Sequence, residues 1–336
     1  MTVASWIPQA QRISLPYVAS GALILLLFGV ASNHLSRFSD ALPQPRELRG
    51  ESTIVRFSDI NCSWASDARS PACRKAAKEA IRRAGHRIRV LNRLEGTDEE
   101  EYQNLSLCKL TEPGESTWSV HKICDYPPQQ HGECTFYSFG ISTEYAFDRD
   151  LATRWGCSGY AFDPSTDHRS TLTDRVLFFQ IGATTLSESQ SEKYNWGKPW
   201  FVSSVPEIQK FFKHDQIDVL KMDCEGCEYA LARDVAEHNP SFFHNVRQFT
   251  IEIHISKVWI KDSEHVHNLG LLFLQLEDAG LELMDADLEP CWTGHEAAGC
   301  DEEMVELGFP CKQLIMCQNY IFARKDERGT KWGKIR

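Results

Sequence analysis

Three clusters of residues sit where a polypeptide can do chemistry. The first is Leu220-Lys221-Met222-Asp223-Cys224-Glu225-Gly226-Cys227-Glu228, which crowds Asp223, Glu225 and Glu228 behind an apolar run. Carboxylates that close raise one another's pKa or recruit a cation. The second is Asp163, followed by Pro164 and lying 23 residues after Gly140. A carboxylate at a strand end can accept both hydroxyls of a ribose; the competing reading is a helix-capping aspartate. The third is the loop Ser138-Phe139-Gly140-Ile141-Ser142-Thr143-Glu144. Gly140 can take a positive φ and let backbone approach a ligand, although a tight turn explains one glycine equally well.

The elements that must position these residues are strands and helices in alternation. Apolar runs at 135–140, 159–163, 176–181, 217–223 and 249–254 read as five strands, and 281–284 and 319–323 as two more. Helical patterns fill 144–155 and 265–279, the latter stopping at Gly280. Such alternation predicts an α/β fold with a parallel sheet covered on both faces. In that architecture ligands bind beyond the carboxyl ends of the strands, where strand order reverses. The loop at Gly140, Asp163 and the segment at Asp223 fall at such ends.

Length and composition set the frame. The chain has 336 residues, 42% apolar, with a formal charge of −11. That acidity argues against a nucleic-acid partner held by bulk electrostatics. No charged side chain occurs from Ile13 to Asn33, a span long enough for a helix to cross a bilayer. It reads as a signal anchor, with a cleaved signal peptide ending near Gly29-Val30-Ala31 as the alternative. Flanking arginines (Arg12 before; Arg37, Arg46 and Arg49 after) favour a cytoplasmic body. Twelve cysteines and sequons at Asn61 and Asn104 favour the lumen of the secretory pathway, in the Golgi or endoplasmic reticulum. The cysteines weigh more.

The chain therefore divides into a tail and anchor (1–33), a stem (34–60), a polar and basic helical preface (61–125), a sheet domain (126–325) and a tail (326–336). Within the preface, residues 74–93 carry eight Lys or Arg against one Glu. This is read as a solvated helix face, or else as a patch for an anionic substrate or lipid headgroups.

The run Ile217-Asp218-Val219-Leu220-Lys221-Met222-Asp223-Cys224-Glu225-Gly226-Cys227-Glu228 resembles the signature of the FkbM-type methyltransferases. The pieces Tyr137-Ser138-Phe139-Gly140, Phe147, Cys157 and Ala161-Phe162-Asp163-Pro164-Ser165 look closer still to the animal methyltransferase-like branch that is often secreted or membrane-anchored. The resemblance spans about residues 120–325. It implies a Rossmann-like, seven-stranded, S-adenosylmethionine-dependent fold. Ser138 and Gly140 would line the methionine part of the cofactor and Asp163 its ribose. Asp223 would sit at the methyl-transfer site, with Glu225 and Glu228 supporting its loop. Glu252 and His254 would face the acceptor. Ser138 replaces the acidic residue many relatives carry, and the loop has one glycine instead of several.

A hydroxyl acceptor must lose a proton, so a base or a metal is required. Residues 252 and 254 alternate by two and point to one side of the strand. His254 could act as base with Glu252 orienting it, or be a structural histidine. Asp223, Glu252 and His254 could instead hold Mg²⁺ or Ca²⁺. The acceptor implied is a glycan or another hydroxyl compound of the secretory pathway. The alternative is a catalytically silent protein that keeps the fold as a binding scaffold. A nicotinamide dehydrogenase is disfavoured because no G-x-G-x-x-G follows the first strand.

Cys134 and Cys157 each lie six residues before a strand-end landmark, which predicts a disulfide if those strands are neighbours. Cys62 with Cys73, and Cys291 with Cys300, would close short loops. Cys224 and Cys227 form either a local disulfide or two buried thiols.

Overall fold

The apolar runs that begin at Cys134 become the strands of one eight-stranded sheet. The computed structural model describes residues 56–60, 62, 70–94, 108–114, 121–125, 134–183, 200–254, 263–287 and 317–324. All of them belong to the unit Val55–Arg336. The segment 13–33, the sequons at Asn61 and Asn104, the pair Cys291 and Cys300, and the tail 326–336 lie outside the described residues. Among the described residues, no helix is long and apolar enough to cross a membrane.

Helix α1 (Pro71–Leu94) leads, followed by the antiparallel pair β1 (Leu110–Thr111) and β2 (Ile123–Cys124). The sheet proper starts at β3 (Thr135–Phe139), with α2 (Ala146–Arg154) leading to β4 (Ser158–Phe162). Then come β5 (Thr171–Thr173), β6 (Val176–Phe179), the small parallel pair β7 (Gly182–Ala183) and β8 (Val202–Ser203), and α3 (Val205–Phe212). Next are β9 (Ile217–Met222), α4 (Glu228–His238), β10 (Val246–His254), α5 (Ser263–Asp278), β11 (Leu281–Asp287) and β12 (Cys317–Arg324).

The strand order is β11-β12-β10-β9-β3-β4-β6-β5. The five strands from β10 to β6 are parallel neighbours, as the alternation predicts. Two corrections apply at the edges. Strand β12 runs antiparallel to both β10 and β11, and the short β5, a Thr-Leu-Thr segment with no apolar run to announce it, is antiparallel to β6. The chain starts at β3, builds outward to β6, then returns to lay β9 on the other side of β3. The switch in strand order therefore falls between β3 and β9.

The basic preface helix is part of the fold. Cys73, Ala76, Ala77, Ala80, Ile81, Ile88 and Leu91 of α1 are buried, at a spacing that makes one helical stripe. The stripe packs against α5 and β11. Gly270 of α5 allows the close approach, since a Cβ there would stand 2.6 Å from the Ala77 carbonyl oxygen. Two of the arginines face protein: Arg83 forms a forked pair with Glu277, at 2.6 Å for its closest contact, and Arg87 donates to the Leu283 carbonyl. Arg74, Lys75 and Arg82 stay exposed.

Disulfides join Cys62 to Cys73, Cys108 to Cys124, Cys134 to Cys157 and Cys224 to Cys227. The third arises as the spacing predicts, because Thr135 pairs with Ser158 and places the preceding residues side by side. The fourth resolves the choice between a local bond and buried thiols. The second was not anticipated; it ties the β1–β2 pair together.

Candidate active site

Strand β9 is buried along its whole length and delivers Asp223 to the switch point. There the Asp223 N–H donates to the Phe139 carbonyl at 3.1 Å, and the Gly140 N–H donates to the Phe162 carbonyl at 2.9 Å. Gly140 has φ +73°, and a Cβ on it would overlap the Asp223 carbonyl. The glycine is thus demanded by the backbone of Asp223. A ligand need not be invoked to explain it.

The Asp223 carboxylate lies amid cationic and imidazole groups. His121 Nε2 is 3.3 Å from Oδ2, Lys221 Nζ is 3.8 Å from Oδ2, and His254 Nε2 is 3.9 Å from Oδ1. Burial alone would raise the carboxyl's pKa, but Lys221, His121 and His254 outweigh it and hold it well below the usual range. Asp223 is therefore ionised at neutral pH. Lys221 is itself anchored, donating to the Gly140 carbonyl at 2.9 Å. It thus ties the β9 end to the loop after β3. His121, on the segment that leads into β2, is 5% exposed. Burial and the Lys221 charge lower its pKa, which makes it a neutral imidazole.

Glu252 and His254 share one side of β10, with 3.9 Å between Glu252 Oε1 and His254 Nε2. The expected division of labour between them is corrected. Glu228, fully buried at the start of α4, orients His254: its Oε1 takes the His254 backbone N–H at 2.8 Å and lies 3.2 Å from Nδ1. Its Oε2 takes the Gly226 N–H at 2.9 Å. The Tyr229 hydroxyl donates to the His254 carbonyl at 2.8 Å. Burial would lower the His254 pKa, but Glu228, Glu225 and Glu252 push it up to about 10. The imidazole is charged at neutral pH and is not a resting-state base. Glu252, buried and facing the Asp223 charge, is pushed up to about 8 and is a neutral acid. Glu225 lies on the outer lip, with φ +56° and its Oε2 3.5 Å from His254 Nε2.

On the other side of the switch point, Asp163 is buried and already engaged. Its Oδ2 accepts the Ser142 N–H, and its Oδ1 accepts the Ser165 N–H and hydroxyl. It fastens the loop after β3 to the loop after β4; Oδ1 has both lone pairs taken, and only Oδ2 keeps one for a further donor. Among the described residues, Ser138 Oγ and Asp148 Oδ1 are buried without a well-formed hydrogen bond, and the Ser138 hydroxyl lies against the Asp148 carboxyl. Burial pushes Asp148 up to about 6, against the pull of Lys221. Unfilled hydrogen-bonding capacity beneath this loop, with a carboxylate at the next strand end, suits a ligand that carries hydroxyl and ammonium groups.

The site thus brings together Ser138, Gly140 and Asp163 on one side, and Asp223, Glu225, Glu228, Glu252 and His254 on the other. Sequence reasoning missed His121, Lys221 and Asp148. Lys221 had a readable signal, a lysine inside an otherwise apolar strand. His121 had none, being 102 residues from Asp223 in a polar segment. A shallow recess lined by Ile123, Leu151, Trp155 and Val219 lies at the amino ends of the strands and takes no part.

Residues 101–271 match a family model described as a methyltransferase domain. No curated protein matches the chain. Among solved structures, a SAM-dependent methyltransferase from Archaeoglobus fulgidus is similar over 59% of this chain and 89% of its own, at 16% identity and a TM-score of 0.26. The plantazolicin methyltransferase BpumL, solved with SAH, is similar over 79% of this chain and 94% of its own, at 9% identity and a TM-score of 0.26.

Proposed function

The chain belongs to the methyltransferase-domain family, and we propose that it is an S-adenosylmethionine-dependent methyltransferase of the FkbM type acting on a hydroxyl oxygen. The observation that carries this reading is the convergence of Asp223 and His254 at the carboxyl ends of β9 and β10, beside the switch point at Gly140.

Ser138, Gly140 and Asp163 would hold the cofactor, with Asp163 offering a ribose hydroxyl the one lone pair that its loop contacts leave on Oδ2. When bound, the cofactor supplies a methyl group on a sulfonium, open to in-line displacement. The chain's own part is alignment, which can account for much of such a reaction's acceleration. Asp223, ionised, accepts the hydrogen bond of the acceptor hydroxyl. It would receive the proton as the oxygen lone pair forms the new bond to carbon and the carbon–sulfur bond breaks, its electron pair leaving on the neutral thioether. His254, charged, donates from Nε2 toward the same oxygen and fixes its position. Glu228 keeps that imidazole from turning, and the Tyr229 hydroxyl holds the His254 backbone carbonyl.

Membrane attachment through residues 13–33 and a lumenal site complete the proposal. Four disulfides support an oxidising compartment. A glycan or related secretory hydroxyl compound is the acceptor class proposed. The test is mass-shift profiling of glycan acceptors with the full-length chain and S-adenosylmethionine. Methyl addition supports the reading, and no addition to any hydroxyl acceptor despite cofactor binding counts against it.

A second reading has its own support. The positive φ of Gly140 is taken up by Asp223 and both Asp163 oxygens by loop backbone, as a silent scaffold would permit. Calorimetric titration with S-adenosylmethionine separates the two, since the scaffold does not bind it.

A further inference from the structure

The groups around Asp223 form two overlapping sets. One ligating atom each from His121, Asp223 and Glu252 lies within 4.8 Å of the others, and so does one each from Asp223, Glu225 and His254. We propose that this end of the sheet binds one divalent first-row transition cation, with Asp223, His121, Glu252 and His254 as its ligands. Only the cation's part in methyl transfer rests on the function proposed above; its binding does not.

The distances have the right size. A metal with bonds of about 2.1 Å holds neighbouring ligand atoms about 3.0 Å apart in an octahedron and about 3.4 Å apart in a tetrahedron. His121 Nε2 is 3.3 Å from Asp223 Oδ2. His254 Nε2 is 3.9 Å from both Asp223 Oδ1 and Glu252 Oε1, wider than either geometry, so a bound ion would have to draw this imidazole inward to join the His121, Asp223 and Glu252 set. Metal-binding imidazoles are commonly held by a carboxylate on their other nitrogen. Glu228 does this for His254, gripping Nδ1 and backbone together and aiming Nε2 at Asp223 and Glu252. A structural histidine would need one such partner; this one has Glu228 behind it and three more carboxylates ahead.

Charge agrees. Among the described residues, Asp223, Glu225, Glu228 and Glu252 gather around Lys221 and His254, and a bound cation would take the place of the protons that His254 and Glu252 hold without it. Lys221 is drawn off toward the Gly140 carbonyl and stands 3.8 Å from Asp223 Oδ2. Ligand type selects the metal. The oxygen-rich set suggested by the sequence alone, Asp223, Glu252 and His254, would suit Mg²⁺ or Ca²⁺. His121, which the sequence did not reveal, adds a second imidazole and moves the preference to Mn²⁺, Fe²⁺, Co²⁺ or Zn²⁺. In methyl transfer such an ion would take the acceptor oxygen and lower its hydroxyl pKa, in place of the direct hydrogen bonds to Asp223 and from His254 in the metal-free chain.

The test uses the full-length chain, disulfides intact, stripped with a chelator and titrated with Mn²⁺ alone. Calorimetry and the loss of the free-ion paramagnetic signal should both show one saturable site. His121→Gln and Glu252→Gln should each weaken it at least about tenfold. Glu237→Gln, at an exposed position on α4 beside buried Asp234 and exposed His238, should leave it unchanged. Near-UV circular dichroism confirms that each variant is folded. No saturable site, binding equally strong in both ligand variants, or a preference for Mg²⁺ or Ca²⁺ over Mn²⁺ and Zn²⁺ would each overturn the proposal. Cofactor titration in the chelator, run beside it, reports on the methyltransferase reading separately.

Discussion

The carbonyl of Asp223 occupies the space that a side chain on Gly140 would fill. This contact fuses the ends of β3 and β9 at the point where strand order reverses, so the carboxylate of Asp223 stands at the mouth of the crevice. Gly140→Ala must push the two ends apart and also hold an alanine at φ +73°. The backbone term alone costs about 1 kcal/mol, and the overlap adds to it. Melting should fall by at least about 3 °C, and affinity for S-adenosylmethionine should drop at least about tenfold. Unchanged melting and binding would show that the strand ends have room to separate.

Glu228 and His254 give the fold a pH signature. The folded pKa of His254, about 10, lies above the ordinary histidine value. Its contribution to stability is complete below about pH 6.5 and fades as pH rises through 10. Glu228→Gln removes much of that contribution and also weakens the hold on Gly226. The variant's deficit in melting temperature should be largest near pH 6 and shrink toward pH 10. A deficit that is constant across that range, measured in chelator, would mean His254 is not held charged by Glu228.

The disulfides should differ in what they stabilise. Cys134–Cys157 closes a separation of 23 residues and Cys224–Cys227 one of 3. Chain-entropy arithmetic gives about 3 kcal/mol for the first and roughly half of that for the second. Cys134→Ser with Cys157→Ser should therefore lower stability in urea melts by more than the Cys224→Ser, Cys227→Ser pair. The latter should fall more heavily on cofactor or acceptor affinity, because its loop carries Glu225 between Asp223 and Glu228.

Much of this arrangement is legible in the chain itself. The strand-end carboxylates follow long apolar runs, so their depth in the sheet follows from period and length. The Cys134–Cys157 bond follows from equal offsets on neighbouring strands. What escapes is set by long-range packing. His121 reaches Asp223 because the Cys108–Cys124 bond and the Gln248 side chain fix the β2 segment against β10, with the Gln248 Oε1 accepting from the Cys124 N–H at 2.8 Å. Nothing in the spacing of residues 101–125 encodes that docking. The partner of His254 also escapes: Glu252 is the nearer in sequence, yet Glu228 at the first turn of α4 takes Nδ1. The antiparallel direction of β12 is set by its pairing with β11 and β10, and its own alternation is silent on it.

The central claim is that Asp223 is where the methyl group is passed on. The most direct measurement is transfer of isotope-labelled methyl from S-adenosylmethionine to a pool of hydroxyl acceptors by the full-length chain, with Asp223→Asn run in parallel. The account predicts label in the acceptors with the native chain and at least about a thousandfold less with Asp223→Asn, while the variant stays folded by circular dichroism. Equal labelling by both chains would contradict it.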